Sequence, residues 1–238
     1  MKISILVAAH KKYDVPGEEP YLPVHVGAAV SSVSLPYQRD DEGDNISFKN
    51  PTYCELTGIY WAYKNLSADY IGLNHYRRYF GTKKHRLNYA DFEKLLNKAD
   101  LILPKKRHYY IETVASQYEH AHGDDLKVVE EAIKESFPDY LDAFHAVMKR
   151  RSIHLFNMFV MKKDIFDAYC SFLFPLLEAC EEQLKDKPRV YGFLSERMMD
   201  VFVEKNALSY LEINVYNTEP QHWGKKIISF LGRKFSRG

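Results

Sequence analysis

Asp69-Tyr-Ile-Gly-Leu-Asn-His-Tyr-Arg-Arg-Tyr-Phe80 opens as a buried strand and closes on a run of polar side chains. Tyr70, Ile71 and Leu73 supply the apolar part, and Asn74, His75, Tyr76, Arg77 and Arg78 follow without a break. Open α/β sheets bind ligands outside the carboxyl ends of their strands, so a strand ending this way predicts a site at that edge. Two adjacent guanidinium groups each offer a planar fork of donors, which suits phosphate or carboxylate. The alternative is an exposed strand end with a solvated arginine pair.

On the amino-terminal side, residues 3–9 predict a buried strand ending at His10-Lys11. Residues 12–50 read as loop, long enough to pack over the ligand edge as a lid or donor-binding loop. Within it the acidic run Asp40-Asp-Glu-Gly-Asp44 reads as a solvated turn. A helix is expected next, with Asn50 as N-cap, Pro51 at the first helical position, and Tyr53, Leu56, Tyr60 and Tyr63 on its buried face. Strand, helix and strand in this order predict a parallel α/β unit.

Beyond the signature strand, a helix is expected over Asp91–Lys98, a strand over Leu101–Leu103 and helices from about Leu126 and from Pro138 to Arg150. Phe156–Met161 reads as a short buried strand. Asp164 is expected to cap a helix running to Cys180, kinked or divided at Pro175. Gly192–Lys205 is the last long helix of the body, and Leu208–Val215 a final strand.

The chain has 238 residues, enough for a substantial core in one large domain or two small ones. Its three cysteines, Cys54, Cys170 and Cys180, show neither metal-ligand spacing nor a disulfide framework and read as reduced core thiols of a cytosolic protein. No apolar run approaches the roughly 20 residues a transmembrane helix needs, and the start is too short for a signal peptide. Five bases and no acid follow Trp223, which leaves residues 1–222 at −4 with 28 bases against 32 acids. That distribution argues against a nucleic-acid binder, which spreads positive charge over a domain face. Neither a Gly-X-Ser-X-Gly elbow nor a glycine-rich phosphate loop is present, against esterase, ATPase and dehydrogenase readings. His120-Ala-His122 with Asp124 lacks a third ligand at a recognised spacing, so no metal site is expected there.

Several blocks besides the His75-Tyr-Arg-Arg-Tyr-Phe80 signature carry a resemblance: Ile5–Lys11, Tyr21–Gly27, Asn50–Thr57, Phe156–Lys163 and Gly192–Arg197. In that order they resemble a bacterial family of capsular and exopolysaccharide glycosyltransferases, long catalogued as a domain of unknown function, some of whose members are assigned as galactofuranosyltransferases. The resemblance implies an α/β, GT-A-like fold: a mixed central sheet flanked by helices, with a C-terminal amphipathic helix. Residues 1–222 would form one catalytic domain, with a donor-binding half at about 1–115 and an acceptor-side half at 116–222. The segment 223–238 would be a basic amphipathic tail.

The implied activity is inverting transfer of a sugar, with galactofuranose one candidate, from a UDP-sugar to a lipid-linked oligosaccharide in capsule, exopolysaccharide or O-antigen synthesis. His10, Lys11, Asn74, His75, Tyr76, Arg77 and Arg78 would bind the donor, and His120, His122, Asn157 and Arg197 the acceptor. Glu196 would be the general base, on the first turn of its helix, with Asp124 the next candidate. The alternative for Glu196 is a first-turn acid, capped by Ser195, that only favours the helix dipole. GT-A enzymes usually hold a divalent metal with Asp-X-Asp where this chain has Asn74-His-Tyr76. Amide and phenol are poor ligands for a hard cation; no cofactor is expected, and Mn or Mg is the alternative left open. Residues 223–237 would contact an anionic membrane surface, placing the protein in the cytoplasm, peripheral on the inner face of the membrane. A non-catalytic scaffold of a polysaccharide-assembly complex and a nucleotide-sugar hydrolase are the competing readings.

Overall fold

The structure, a computed structural model, describes residues 1–185 and 187–219. The expected C-terminal amphipathic tail lies outside these residues. The described strands are β1 (Ile3–Ala9), β2 (Tyr21–His25), β3 (Gln38–Arg39), β4 (Tyr70–His75), β5 (Arg78–Thr82), β6 (His85–Arg86), β7 (Leu101–Pro104), β8 (Arg107–His108), β9 (Ser152–Ile153), β10 (Phe159–Lys162), β11 (Leu211–Ile213) and β12 (Val215–Asn217). The α-helices are α1 (Asn50–Tyr53), α2 (Leu56–Asn65), α3 (Tyr89–Leu96), α4 (Val114–His122), α5 (Asp125–Ser136), α6 (Leu141–Met148), α7 (Lys163–Ala179), α8 (Glu181–Leu184) and α9 (Val190–Lys205).

The central sheet runs β11-β7-β10-β4-β1-β2-β3. All these strands are parallel except β10, which runs antiparallel between β4 and β7. Near-continuous apolar runs such as Ile3–Ala9 follow from burial on both faces. Leu6, Ala8, Ile71 and Leu73 point to one face, where α2, α7 and α9 pack. Ile3, Ile5, Val7 and Tyr70 point to the other, covered by α3 and the hairpin side chains of β5. The mixed α/β sheet flanked by helices is the architecture expected from the sequence. Strand β10 belongs to the second half of the chain, so both halves share one sheet.

Several expectations about elements need correction. The stretch 12–50 is not all loop, because Tyr21–His25 adds β2 parallel to β1 in register Ile5–Tyr21 to Ala9–His25. Pro23 is tolerated because even-numbered residues of β2 face β1, through the Pro20 carbonyl and the Val26 N–H. Its nitrogen therefore turns to the other side, where β3 pairs only with Val24 and His25. Asp40 is fully buried rather than solvated; its carboxylate accepts from the Gly27 and Ala28 N–H groups at 2.8 and 3.0 Å and from the Ser47 hydroxyl.

The helix after Asn50 breaks at Cys54, where φ is +54°, so α1 and α2 are separate. Asn50 is inside α1 and does not cap it; its amide instead donates to the Cys54 carbonyl and the Thr57 hydroxyl. Asp164 is not the N-cap of α7, which runs undivided through Pro175. Its buried side, from Phe166 to Leu177, packs against α2, α5 and α9, and that packing offsets the roughly 3 kcal/mol a mid-helix proline costs. Helix α4 had no clear apolar stripe to betray it, but it is fixed by a capping box between Thr113 and Ser116. The expected strand over Leu208–Val215 is two short ones, β11 and β12, on different neighbours.

Candidate active site

The signature is a hairpin: β4 ends at His75, Tyr76 and Arg77 make the turn, and Arg78 begins β5. The Tyr76 N–H donates to the Ala8 carbonyl at 3.1 Å, tying the turn to the carboxyl end of β1. Its ring is then a hub. His10 meets it edge-on at 5.3 Å, Tyr13 at 5.0 Å, and Lys11 Nζ and the Arg77 guanidinium lie 5.5 and 5.0 Å from its centroid. His10 keeps an exposed edge, yet its pKa is lowered, first by partial burial and then by Lys11, Arg77 and Arg189. The last of these, Arg189, precedes α9 in the left-handed region (φ +62°).

The cations at this edge differ in their partners. Arg77 pairs with Glu219 at 3.2 Å. Among the described residues, Lys11, Arg78 and Arg189 have no carboxylate within salt-bridge distance. The Arg78 guanidinium lies 4.4 Å above the Phe156 ring and its Nε is buried without a partner among the described residues; burial lowers its pKa, with Arg77 adding to the shift and Glu196 and Glu55 opposing it. Among the same residues, two further polar groups are buried without partners at this edge: both amide atoms of Asn74 and both ring nitrogens of His25, which ends β2. Unpaired buried donors and acceptors are costly in an empty fold, which makes them ligand-facing candidates.

Beside the cations sits a carboxylate pair. Glu196 lies in the second turn of α9, because the helix begins at Val190, ahead of the expected Gly192. Ser195 does not cap it; its hydroxyl donates to Asn157 Oδ1 and the Gly192 carbonyl, both at 3.0 Å. Glu196 Oε1 accepts from the Phe156 N–H at 3.0 Å and Oε2 from Arg197 Nη1 at 2.8 Å. Burial pushes its carboxyl pKa up, opposed by Arg197 and helped by the Glu55 charge. Glu55, which follows the Cys54 break, accepts from Asn157 Nδ2 at 2.8 Å. His75 Nε2 donates to the Phe156 carbonyl at 2.6 Å, and burial lowers its pKa.

Phe156 and Asn157 bridge these groups and are both left-handed, at φ +77° and +52°. Such conformations cost on the order of 1–3 kcal/mol each and persist where surrounding bonds fix them. Here the bonds to Glu196, His75, Glu55, Gly192 and Ser195 do so. Cys54 is a thiol, pushed up to about 11 by burial and then by Glu55, so it is no thiolate nucleophile at neutral pH.

The structure thus gathers His10, Lys11, Asn74, His75, Tyr76, Arg77 and Arg78 at one sheet edge, with Glu196, Arg197 and Asn157 behind them. Asn157 and Arg197 have their polar atoms largely engaged within the protein: Arg197 donates to the Phe193 carbonyl, Glu196 and Gln117. The other expected residues separate. His122 stacks on Phe193 at 4.3 Å, and its pKa is lowered by burial and then by Arg197. His120 is exposed and bonded to Glu112. Asp124 is exposed and paired with Lys127 at 2.6 Å. The two histidines diverge because they sit two apart on a helix, α4.

Glu55, Arg189 and His25 were missed. Glu55 stands inside the quoted block Asn50–Thr57, but a helix read straight through Cys54 hides its special position. At Asn74-His75-Tyr76, His75 Nε2 is spent on the Phe156 carbonyl, and the amide and phenol beside it are poor ligands for a hard cation.

A parallel-sheet edge with arginines, the unpartnered Asn74 amide and His25 imidazole, and a carboxylate pair makes a candidate polar ligand site on an α/β fold. The chain belongs to the family described as Domain of unknown function (DUF4422), whose profile matches residues 4–207. Among solved structures, the apo form of WbbM, described as a bifunctional glycosyltransferase, is similar at TM-score 0.84 and 28% identity. That match covers 92% of this chain and 46% of WbbM, so the chain spans about half the length of that relative. No curated protein matches in sequence.

Proposed function

We propose that the chain is an inverting glycosyltransferase that moves a sugar from a UDP-sugar to a lipid-linked oligosaccharide, with galactofuranose one candidate sugar. The observation that carries this reading is the meeting of Lys11, Arg77, Arg78 and Arg189 with the Glu55–Glu196 pair at one sheet edge, on a fold shared with WbbM. In such a transfer the acceptor oxygen attacks the anomeric carbon, a carboxylate takes its proton, and the bond to the diphosphate breaks. The leaving diphosphate gains negative charge that fixed guanidinium groups stabilise. The first half of the chain would bind the donor and the second half the acceptor.

The test is the pure chain incubated with UDP-glucose, UDP-galactopyranose and UDP-galactofuranose, with and without octyl glycosides as acceptors. Glycoside extension is expected. Release of free sugar regardless of acceptor would instead make it a hydrolase, and neither binding nor turnover would leave a scaffold.

A further inference from the structure

Of the two acids, Glu196 was the one expected to take the proton, yet its surroundings suit it poorly. Each of its oxygens already accepts from a protein donor, the Phe156 N–H and Arg197 Nη1. Those bonds hold the left-handed Phe156–Asn157 corner and so give Glu196 a scaffold task. Glu55 differs. Its Oε1 accepts from Asn157, and among the described residues no donor reaches Oε2, which is also absent from the buried unpaired atoms. An open carboxylate oxygen, on a side chain fixed through its other oxygen, is the geometry a general base requires.

The Cys54 break aims Glu55. With φ at +54° and ψ at −131°, Cys54 turns the chain so that Glu55, just ahead of α2, reaches Asn157 rather than continuing α1. Gly192 makes room for that turn, since a Cβ there would lie 3.3 Å from Cys54 Cβ and Sγ. The groups that feel the Glu55 charge come from each neighbouring element: His75 of β4, Arg78 of β5, Cys54 and Glu196 of α9. Burial and then the Glu55 charge push the Glu196 carboxyl up, while Arg197 and the Phe156 N–H oppose the shift.

We infer that Glu55 is the catalytic base, and that Glu196 with Arg197 positions it through Phe156 and Asn157. This rests on the glycosyltransferase reading. The acceptor O–H proton passes to Glu55 Oε2 as the oxygen bonds to the anomeric carbon. The electron pair of the broken carbon–oxygen bond leaves on UDP, and the Glu55 carboxyl later returns its proton to water.

The experiment compares Glu55→Gln, Glu55→Asp and Glu196→Gln with the unaltered chain in the octyl glycoside assay, with melting curves and UDP affinity as controls. Glu55→Gln should lower kcat by about 10²–10⁴-fold, keep UDP affinity and abolish the acid limb of the pH profile. Glu196→Gln should keep that limb. Native kcat with an intact acid limb in Glu55→Gln, while the unaltered chain transfers sugar, would overturn the assignment and leave the glycosyltransferase reading standing. If Glu55→Gln does not fold, Glu55→Asp decides: a slowed rate with a shifted limb supports the role, and an unchanged profile overturns it. No transfer by the unaltered chain with any donor would overturn both.

Discussion

The imidazole of His75 donates from Nε2 to the Phe156 carbonyl, so the neutral Nε2–H tautomer is the one the corner uses. Burial lowers its pKa, with Arg78 and Arg77 adding to the shift and Glu55 opposing it. In the unfolded chain the same ring takes a proton near pH 6.5. Below that pH the unfolded state therefore binds more protons than the folded one, and stability is lost as pH falls. His75→Gln keeps a donor but removes the titration. Urea unfolding at pH 7.5 and 5.5 should show the unaltered chain losing more stability on acidification than His75→Gln, and equal losses would contradict the neutral-imidazole account. The residue types at this site were legible: the amide, imidazole and guanidinium run of Asn74–Arg78 announced itself at a strand end. Their partners were not, because Glu55, Phe156 and Asn157 reach the site through left-handed backbone at non-glycine residues, which composition does not reveal.

Elements followed the sequence where one force dominated. Strands β1, β4 and β7 are continuous apolar runs buried on both faces, and their bounds match expectation closely. Strand β2 escaped notice because Pro23 argues against a central strand, and only the register shows that its nitrogen needs no partner. Helix α4 escaped because His, Glu, Gln and Ser dominate its sequence and its capping box uses Ser116 in place of an acid. Pro175 misled in the opposite direction, since burial of α7 outweighs the local penalty. The β4–β10 pairing has its own sharp dependence on Gly72. A Cβ there would lie 2.8 Å from the Phe159 carbonyl oxygen and 2.9 Å from Val160 Cγ2. Gly72→Val should destabilise the fold by about 1–3 kcal/mol, the usual range for overpacking. Chemical denaturation checks this, and a stability equal to that of the unaltered chain would mean the strands part more easily than the packing indicates.

Across the whole molecule, one sheet collects residues far apart in sequence. The parallel strands bring the ends of β1, β2 and β4 to one edge, and β10, inserted antiparallel, carries the Phe156–Asn157 corner to the same place. Helix α9 then delivers Arg189 at its start and Glu196 about two turns further on. At the far end of the chain, β12 pairs with β5, and Glu219 reaches Arg77. On the proposed reading, a diphosphate arriving at this edge would exchange with the Glu219 carboxylate at Arg77 and would meet Arg78 with no carboxylate partner among the described residues. Charge-assisted hydrogen bonds of this kind contribute roughly 1.5–3 kcal/mol each, or about 10–150-fold in affinity. The most direct measurement is calorimetric titration of UDP, in the presence of EDTA, into the unaltered chain and into Arg77→Ala and Arg78→Ala. Saturable binding by the unaltered chain, weakened at least about tenfold by Arg78→Ala, is the predicted result; no UDP binding, or equal affinity in all three proteins, would contradict it.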